Sequence, residues 1–239
     1  YDARQPDKAL AEVTIDKIGL SGTTLTIRKK DTDDFSEELD IYSYEDAVTV
    51  IIDKVKQNLN GGISAIGHRI VHGGTRFNGP EVLGDDQLTD LKELTQLDPE
   101  HMPGAIRLVE VLKDAFPDTA QVGCFDTAFY GDLPRVAQLI AIPRKYESMG
   151  IRRYGFHGIS YTFLLQELTR KCGADAGNGR VIFAHLGSGV SLTATKDGKP
   201  IDTTMGMTPA SGVMMSTRSG DIDPGLPWQL NAKAGLGFD

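Results

Sequence analysis

Apolar residues recur along this chain with two alternating spacings. From Tyr44 to Leu59, residues Ala47, Val48, Ile51, Ile52 and Val55 repeat at three- and four-residue steps, which predicts a helix with one buried face. Asn60-Gly61-Gly62 then supplies a stop signal. The same period predicts a helix from Pro103 to Phe116, with Ile106, Val109, Leu112 and Phe116 on one side. Another runs from Ser160 to Lys171 and ends in the loop CGADAGNG. Strand-like runs lie between these segments. Glu12–Ile18 and Thr23–Arg28 read as extended segments around Leu20-Ser21-Gly22, and the acidic run 31–40 as a solvated loop or strand edge. Ile63–Ile66 reads as a short strand entering HRIVHGG, and Gln121–Phe125 as a strand after the second helix. VIFAHLG reads as a buried strand, and Ser191–Thr195, Asp197-Gly198 and Pro200–Thr203 as a hairpin.

Strands interleaved with helices predict an α/β fold. A shift in composition between Ile142-Pro143-Arg144 and Tyr154-Gly155 marks a boundary between two lobes, 1–148 and 149–239. No solenoid repeat and no low-complexity tract interrupts the pattern.

Composition narrows the function. With 239 residues, 40% hydrophobic and 24% charged, the chain has material for a sizeable core and lacks the profile of a disordered protein. A formal net charge of −8 argues against general nucleic-acid binding, while leaving room for an anionic small molecule in a cleft lined by a few arginines. Cys124 and Cys172 are too few for a disulfide scaffold or zinc cluster, and their apolar flanks predict buried, reduced thiols. Apolar runs fall short of the roughly 18 residues of a membrane span. No signal peptide is visible, although the sequence starts at Tyr1.

Five polar clusters carry candidate chemistry. In His68-Arg69-Ile70-Val71-His72-Gly73-Gly74, a strand delivers Arg69 to a tight turn, where its planar fork can take two oxygens of a carboxylate or phosphate. An ordinary surface arginine with two satisfied histidines is the alternative. Asp126, in Phe125-Asp126-Thr127-Ala128-Phe129, follows a strand and suits a base, metal or orienting role, or simply a helix cap. His157, in Tyr154-Gly155-Phe156-His157-Gly158, can donate a charged hydrogen bond to an anion, or be structural. His185-Leu186-Gly187-Ser188-Gly189 can bring backbone N–H groups close to a phosphate, or be a common glycine turn. It is not a Walker loop, since GxxxxGK[ST] occurs nowhere. The fifth cluster runs from Asp202 to Pro209 and on through Thr217-Arg218-Ser219-Gly220-Asp221-Ile222-Asp223-Pro224, with hydroxyls throughout and, in its second stretch, one arginine and two carboxylates.

Taken in order, GHRIVHGG, GCFDTAF, RRYGFHGIS, FAHLGSGVSL and DTTMGMTPASGVMMSTRSGDIDPG resemble the acetate kinase family over about residues 10–228. The resemblance implies a two-lobed actin-like ATPase (ribonuclease H-like) α/β fold and a cytoplasmic, homodimeric kinase. Such an enzyme moves phosphate reversibly between ATP and acetate with Mg²⁺. It implies that Arg69 and Arg218 bracket the carboxylate and the transferring phosphoryl group. His157 would stabilise phosphoryl oxygens, and Asp126 would be the acidic site residue positioning arginine or Mg²⁺-linked water. His185, Leu186, Gly187, Ser188 and Gly189 would approach the ATP phosphates, with no protein metal ligand assigned. Val71, Phe156 and Pro209 would wall the acyl pocket, with His101 as a further site histidine.

Family members begin with a strand and an Asn-x-Gly-Ser-Ser-Ser phosphate loop, and continue beyond position 239 into an adenosine-binding segment and a Mg²⁺-linked glutamate. The resemblance therefore implies a chain incomplete at both ends and inactive alone. Two residues depart from the family pattern. Tyr130 stands where the family usually has His, and Glu100 where an apolar pocket residue is expected. A propionate or butyrate kinase, or a nucleotide-binding module without turnover, are the competing expectations.

Overall fold

The computed structural model describes residues 9–29, 33–58 and 62–237. Leu59, Asn60 and Gly61, with the expected helix stop, lie outside them, as do Asp31, Thr32 and the outermost residues of the chain. Two compact units are formed, one from residues 1–64 with 114–117, the other from 65–113 with 118–239.

The first unit is a small antiparallel sheet and a helix. Strands β1 (Ala11–Asp16) and β2 (Thr24–Lys29) pair in the expected hairpin, with Asp16 opposite Thr24, and β3 (Phe35–Glu38) adds to β2. The acidic run thus contributes an edge strand, with Glu38 in water and Glu37 paired with Lys54 at 3.1 Å. Thr23, fully buried, closes the hairpin by donating to the Lys17 and Leu20 carbonyls at 3.0 Å each. Helix α1 (Tyr44–Asn58) begins after Ser43, whose Oγ accepts from the Asp46 N–H, and buries Ala47, Val48 and Ile52.

The second unit contains the polar clusters. Strand β4 (Ala65–Ile70) is parallel to β6 (Ala120–Phe125), and the short β5 (Glu81–Val82) lies antiparallel on the other side of β6. Between them in sequence come α2 (Asp85–Glu93) and α3 (Met102–Ala115). Leu88, Leu91, Met102, Ile106 and Val109 from these helices pack with Ile70 and Phe125 into one core. After α4 (Arg135–Gln138), helix α5 (Gly158–Cys172) and the short α6 (Ala174–Asn178) precede a three-stranded antiparallel sheet. That sheet is β7 (Arg180–Leu186), β8 (Val190–Lys196) and β9 (Lys199–Thr203), followed by α7 (Gly225–Ala234). Asp197 and Gly198, at φ 53° and 71°, form the left-handed pair that a two-residue hairpin turn requires.

Two sequence expectations are corrected here. Strand β7 is not buried: only Phe183 is fully enclosed, with Val181 partly buried on the same face, while Ile182 and Leu186 are 73% and 77% exposed, because the strand has apolar residues on both of its faces. Cys172 is exposed at the end of α5, and Cys124 is half-buried, where desolvation raises its thiol pKa. Among the described residues, no helix is long and apolar enough to cross a membrane.

Candidate functional site

Parallel pairing of β4 with β6 brings their C-terminal ends to one edge, where α/β proteins place ligands. Arg69 lies opposite Cys124, and the ladder continues past the strands through the Asp126 N–H bond to the Ile70 carbonyl at 2.9 Å. Arg69 and Asp126, 57 residues apart in sequence, therefore meet as a fork. Arg69 Nη2 donates to Asp126 Oδ2 at 2.7 Å and Nε to Oδ1 at 3.3 Å. Asp126 is 2% exposed and Arg69 63%, so the carboxylate is the buried anchor and the guanidinium the presented group. This bond raises the Arg69 pKa above its ordinary value. Thr127 Oγ1 accepts from the Gly73 N–H at 3.0 Å, fixing the turn after Val71.

His68 and His72 turn inward. His68 pairs with Gln121 at 2.8 Å within the sheet. His72 is fully buried against Tyr154 and Phe156, its Nδ1 accepting from the Gly74 N–H at 2.9 Å. Burial lowers the His72 pKa to about 4.

His157 precedes α5 in the left-handed region, at φ 60° and ψ 21°. For a residue with a side chain, this conformation costs on the order of 1 kcal/mol. Gly158 follows it, and there is no room for a side chain there: a Cβ would lie 2.2 Å from the Asp126 carbonyl oxygen. The Gly158 N–H donates to that same oxygen at 2.9 Å, joining the start of α5 to the end of β6. The His157 ring stacks on His185, centroids 4.0 Å apart and 15° from parallel. Desolvation, reinforced by His185, Arg69 and Arg218, lowers its pKa to about 4. The charged donor expected from the sequence is thus a neutral imidazole at pH 7.

The β7–β8 turn supplies the next wall. Gly187, Ser188 and Gly189 connect Leu186 to Val190, its opposite in the ladder, with the Gly187 N–H bonded to the Gly189 carbonyl at 3.1 Å. A Cβ on Gly189 would lie 3.2 Å from His157 Nε2 and 3.3 Å from Arg218 Nη1. The histidine edge and the guanidinium therefore converge beside the Gly189 backbone, where a side chain would crowd both. Arg218 also donates from Nη1 to the Pro209 carbonyl at 3.2 Å.

A cavity of about 560 Å³ is lined by Arg69, Val71, His101, Asp126, Phe156, His157, His185, Gly187, Ser188, Gly189, Pro209 and Arg218. Ile159 and Ser160 join them, neither of which was singled out from the sequence. Leu186 is absent from the lining, because alternation along β7 turns its side chain out to solvent. His101 is held by Asp98, with Nδ1 2.9 Å from its Oδ1. The adjacent Glu100 is exposed and does not reach the cavity. Tyr130 is 4% exposed, and its hydroxyl donates to the Phe156 carbonyl at 2.9 Å and sits 2.6 Å from Thr193 Oγ1.

Asp221 and Asp223 of the fifth cluster shape the loop. Asp221 Oδ1 accepts from the Gly212 N–H and Asp223 Oδ1 from the Gly225 N–H, each at 2.8 Å. Among the described residues, no group of three or more His, Cys, Asp or Glu is placed to hold a metal ion. The cavity offers two guanidiniums, an imidazole edge and a glycine turn beside the apolar Val71, Phe156 and Pro209. Such a set can hold a small carboxylate and neutralise a phosphoryl group.

The chain is similar to known proteins over nearly its whole length. The chain is 37% identical over 239 residues to an acetate kinase of Carboxydothermus hydrogenoformans, covering 97% of this chain and 60% of that protein. It is 41% identical over 201 residues to an acetate kinase of Shewanella amazonensis, covering 82% and 50%. Among solved structures, a propionate kinase from Francisella tularensis superposes with a TM-score of 0.90 at 33% identity, covering 98% of this chain and 60% of that one. The Porphyromonas gingivalis acetate kinase gives 0.84 at 34%, covering 97% and 60%. The chain spans about 60% of the length of the curated acetate kinases it matches over nearly its whole length. The Acetokinase family model matches residues 1–239, and the chain belongs to that family.

Proposed function

We propose that the cavity of the second unit is the acyl and phosphoryl site of a kinase that transfers the γ-phosphoryl group of ATP to acetate, reversibly giving acetyl phosphate and ADP. The observation that carries this reading is the convergence of His157 Nε2 and Arg218 Nη1 beside the Gly189 backbone, within the cavity that Arg69 also lines. Those donors fit phosphate oxygens. Among the described residues no group of three or more His, Cys, Asp or Glu is placed to hold a metal ion, so Mg²⁺ would be carried chiefly on the nucleotide phosphates.

A carboxylate oxygen of acetate attacks the γ-phosphorus, the bond from phosphorus to the bridging oxygen breaks, and ADP leaves. Acetate is already a nucleophile, so alignment and charge neutralisation make up most of the task. Arg69, aimed by buried Asp126, and Arg218, held at the Pro209 carbonyl, take the carboxylate and the equatorial oxygens. His157 adds a hydrogen bond from Nε2, while Val71, Phe156 and Pro209 exclude water around the methyl group. His185 and the Gly187–Gly189 turn face the nucleotide phosphates. On family grounds alone we further assign the enzyme to the cytoplasm, as a homodimer, with lobes 1–148 and 149–239.

Propionate is the second acceptor to consider, since a propionate kinase is among the structural neighbours. Hydroxamate trapping of acyl phosphate, with acetate and propionate in parallel, tests both readings on the natural gene product that carries this chain. Arg69→Ala and Arg218→Ala are each expected to lower kcat by about 10²-fold or more. Wild-type turnover in either variant, or no acyl phosphate from either acid, would overturn the assignment.

A further inference from the structure

Ser191 is fully buried on β8, directly opposite His185 in the β7–β8 ladder. Its hydroxyl lies 2.9 Å from His157 Nδ1, on the edge of the ring away from the cavity. Tyr161, also fully buried and one turn into α5, places its own hydroxyl 2.5 Å from Ser191 Oγ and 2.8 Å from the Ser191 carbonyl.

Proton counting limits what this chain of groups can do. Tyr161 has one proton, and both of its partners belong to Ser191. Ser191 also has one proton, to be given either to Tyr161 or to His157. If it goes to Tyr161, the neutral imidazole carries its proton on Nδ1 and turns a lone pair toward the cavity. A lone pair would repel the phosphoryl oxygens that Arg218 attracts at the same point. If it goes to His157 Nδ1, the imidazole proton sits on Nε2 and faces the anion. We propose that Ser191, oriented by Tyr161, donates to Nδ1 of His157 and so holds it as a neutral Nε2–H donor toward the transferring phosphoryl group. The inference rests on the kinase reading above for its catalytic consequence, though not for the hydrogen bond itself.

Two observations support it. The His157 pKa of about 4 leaves the ring with a single proton at pH 7, so its tautomer decides whether it can donate at all. The stacked His185 repeats the arrangement, with Nδ1 3.1 Å from the hydroxyl of Ser160. A histidine's useful nitrogen is commonly set by the bond its other nitrogen makes. Ser191 is thus a positioning residue, acting through His157 rather than on the substrate.

The test joins a spectroscopic measurement to a kinetic cycle. In the ¹⁵N-histidine NMR spectrum of the natural gene product at pH 7 with inorganic phosphate, His157 should show a protonated Nε2 and a hydrogen-bonded, unprotonated Nδ1. Ser191→Ala should move the Nδ1 resonance to that of a free acceptor, and Ser191→Thr should restore it. Kinetically, Ser191→Ala should lower kcat at least about 10-fold with KM for acetate within about twofold, and Ser191→Thr should recover most of the loss. In a His157→Ala background, the same Ser191→Ala change should cost little, because its effect passes through the ring. A proton on Nδ1 in the wild type, whether as the other tautomer or as an imidazolium, overturns the proposal. So does an undiminished kcat effect of Ser191→Ala in the His157→Ala background. If Ser191→Ala fails to fold, the wild-type spectrum and Ser191→Thr still decide. Absence of acyl phosphate formation by the wild type would instead count against the kinase reading, leaving the tautomer result to stand or fall by itself.

Discussion

Asp126 shows how one buried residue can aim another side chain at a cavity. At 2% exposure both of its oxygens are engaged by Arg69, so its contribution is the direction of the guanidinium. An isolated buried carboxylate is costly, and here the fork and its geometry offset that cost. Glu100 is the opposite case. An acidic residue in an acyl pocket would penalise longer chains through the cost of desolvating it. Glu100 is instead exposed, and the cavity wall beside it is His101. Glu100→Leu should therefore leave the ratio of kcat/KM for propionate to that for acetate within about twofold. One methylene in a fitted pocket is worth roughly 1–3 kcal/mol, so a change of tenfold or more would place Glu100 in the pocket after all.

At the scale of elements, the site depends on how the start of α5 is set against the end of β6. Gly158 is the junction: its N–H bonds the Asp126 carbonyl, and a methyl group there would also press on Phe129 Cβ at 2.7 Å. Gly158→Ala is expected to destabilise the protein by about 1–3 kcal/mol and to lower kcat, since backbone at Asp126 must yield and Arg69 moves with it. A denaturation midpoint and kcat both equal to wild type would show that the junction has slack. The elements themselves were legible in proportion to their periodicity. Helices α1, α3 and α5 and the β8–β9 hairpin follow from spacing and turn residues. Helix α2 (DDQLTDLKE) was missed because only Leu88 and Leu91 mark its buried side. Helix α7 has no buried residue at all, and so no apolar stripe to read. Site residues that lie within motifs could be named in advance. The support of Ser191 for His157, 34 residues away, could not, because it depends on which β8 side chain faces α5.

The whole molecule responds to pH through its buried imidazoles. His72 and His157 titrate near 4 in the folded protein, against about 6.5 in an unfolded chain, so the unfolded state takes up protons first as pH falls. Their contribution to stability is complete above about pH 6.5 and is lost as pH falls toward 4. Two protons give a slope of up to about 2.7 kcal/mol per pH unit. Urea midpoints should therefore fall between pH 6.5 and 5, with a shallower slope in His157→Gln. Equal midpoints at those two pH values would remove both groups from the linkage. Association is the other property of the whole chain. Ile182 and Leu186 on β7, and Trp228 on α7 at 69% exposure, leave large apolar side chains in water. Exposed apolar surface on strands and helices favours self-contact. The elution of purified residues 1–239 in size-exclusion chromatography should therefore shift earlier with concentration, and Trp228→Lys with Ile182→Lys should reduce that shift. An elution volume independent of concentration, or a shift unchanged in the double variant, would show that these side chains do not drive self-contact.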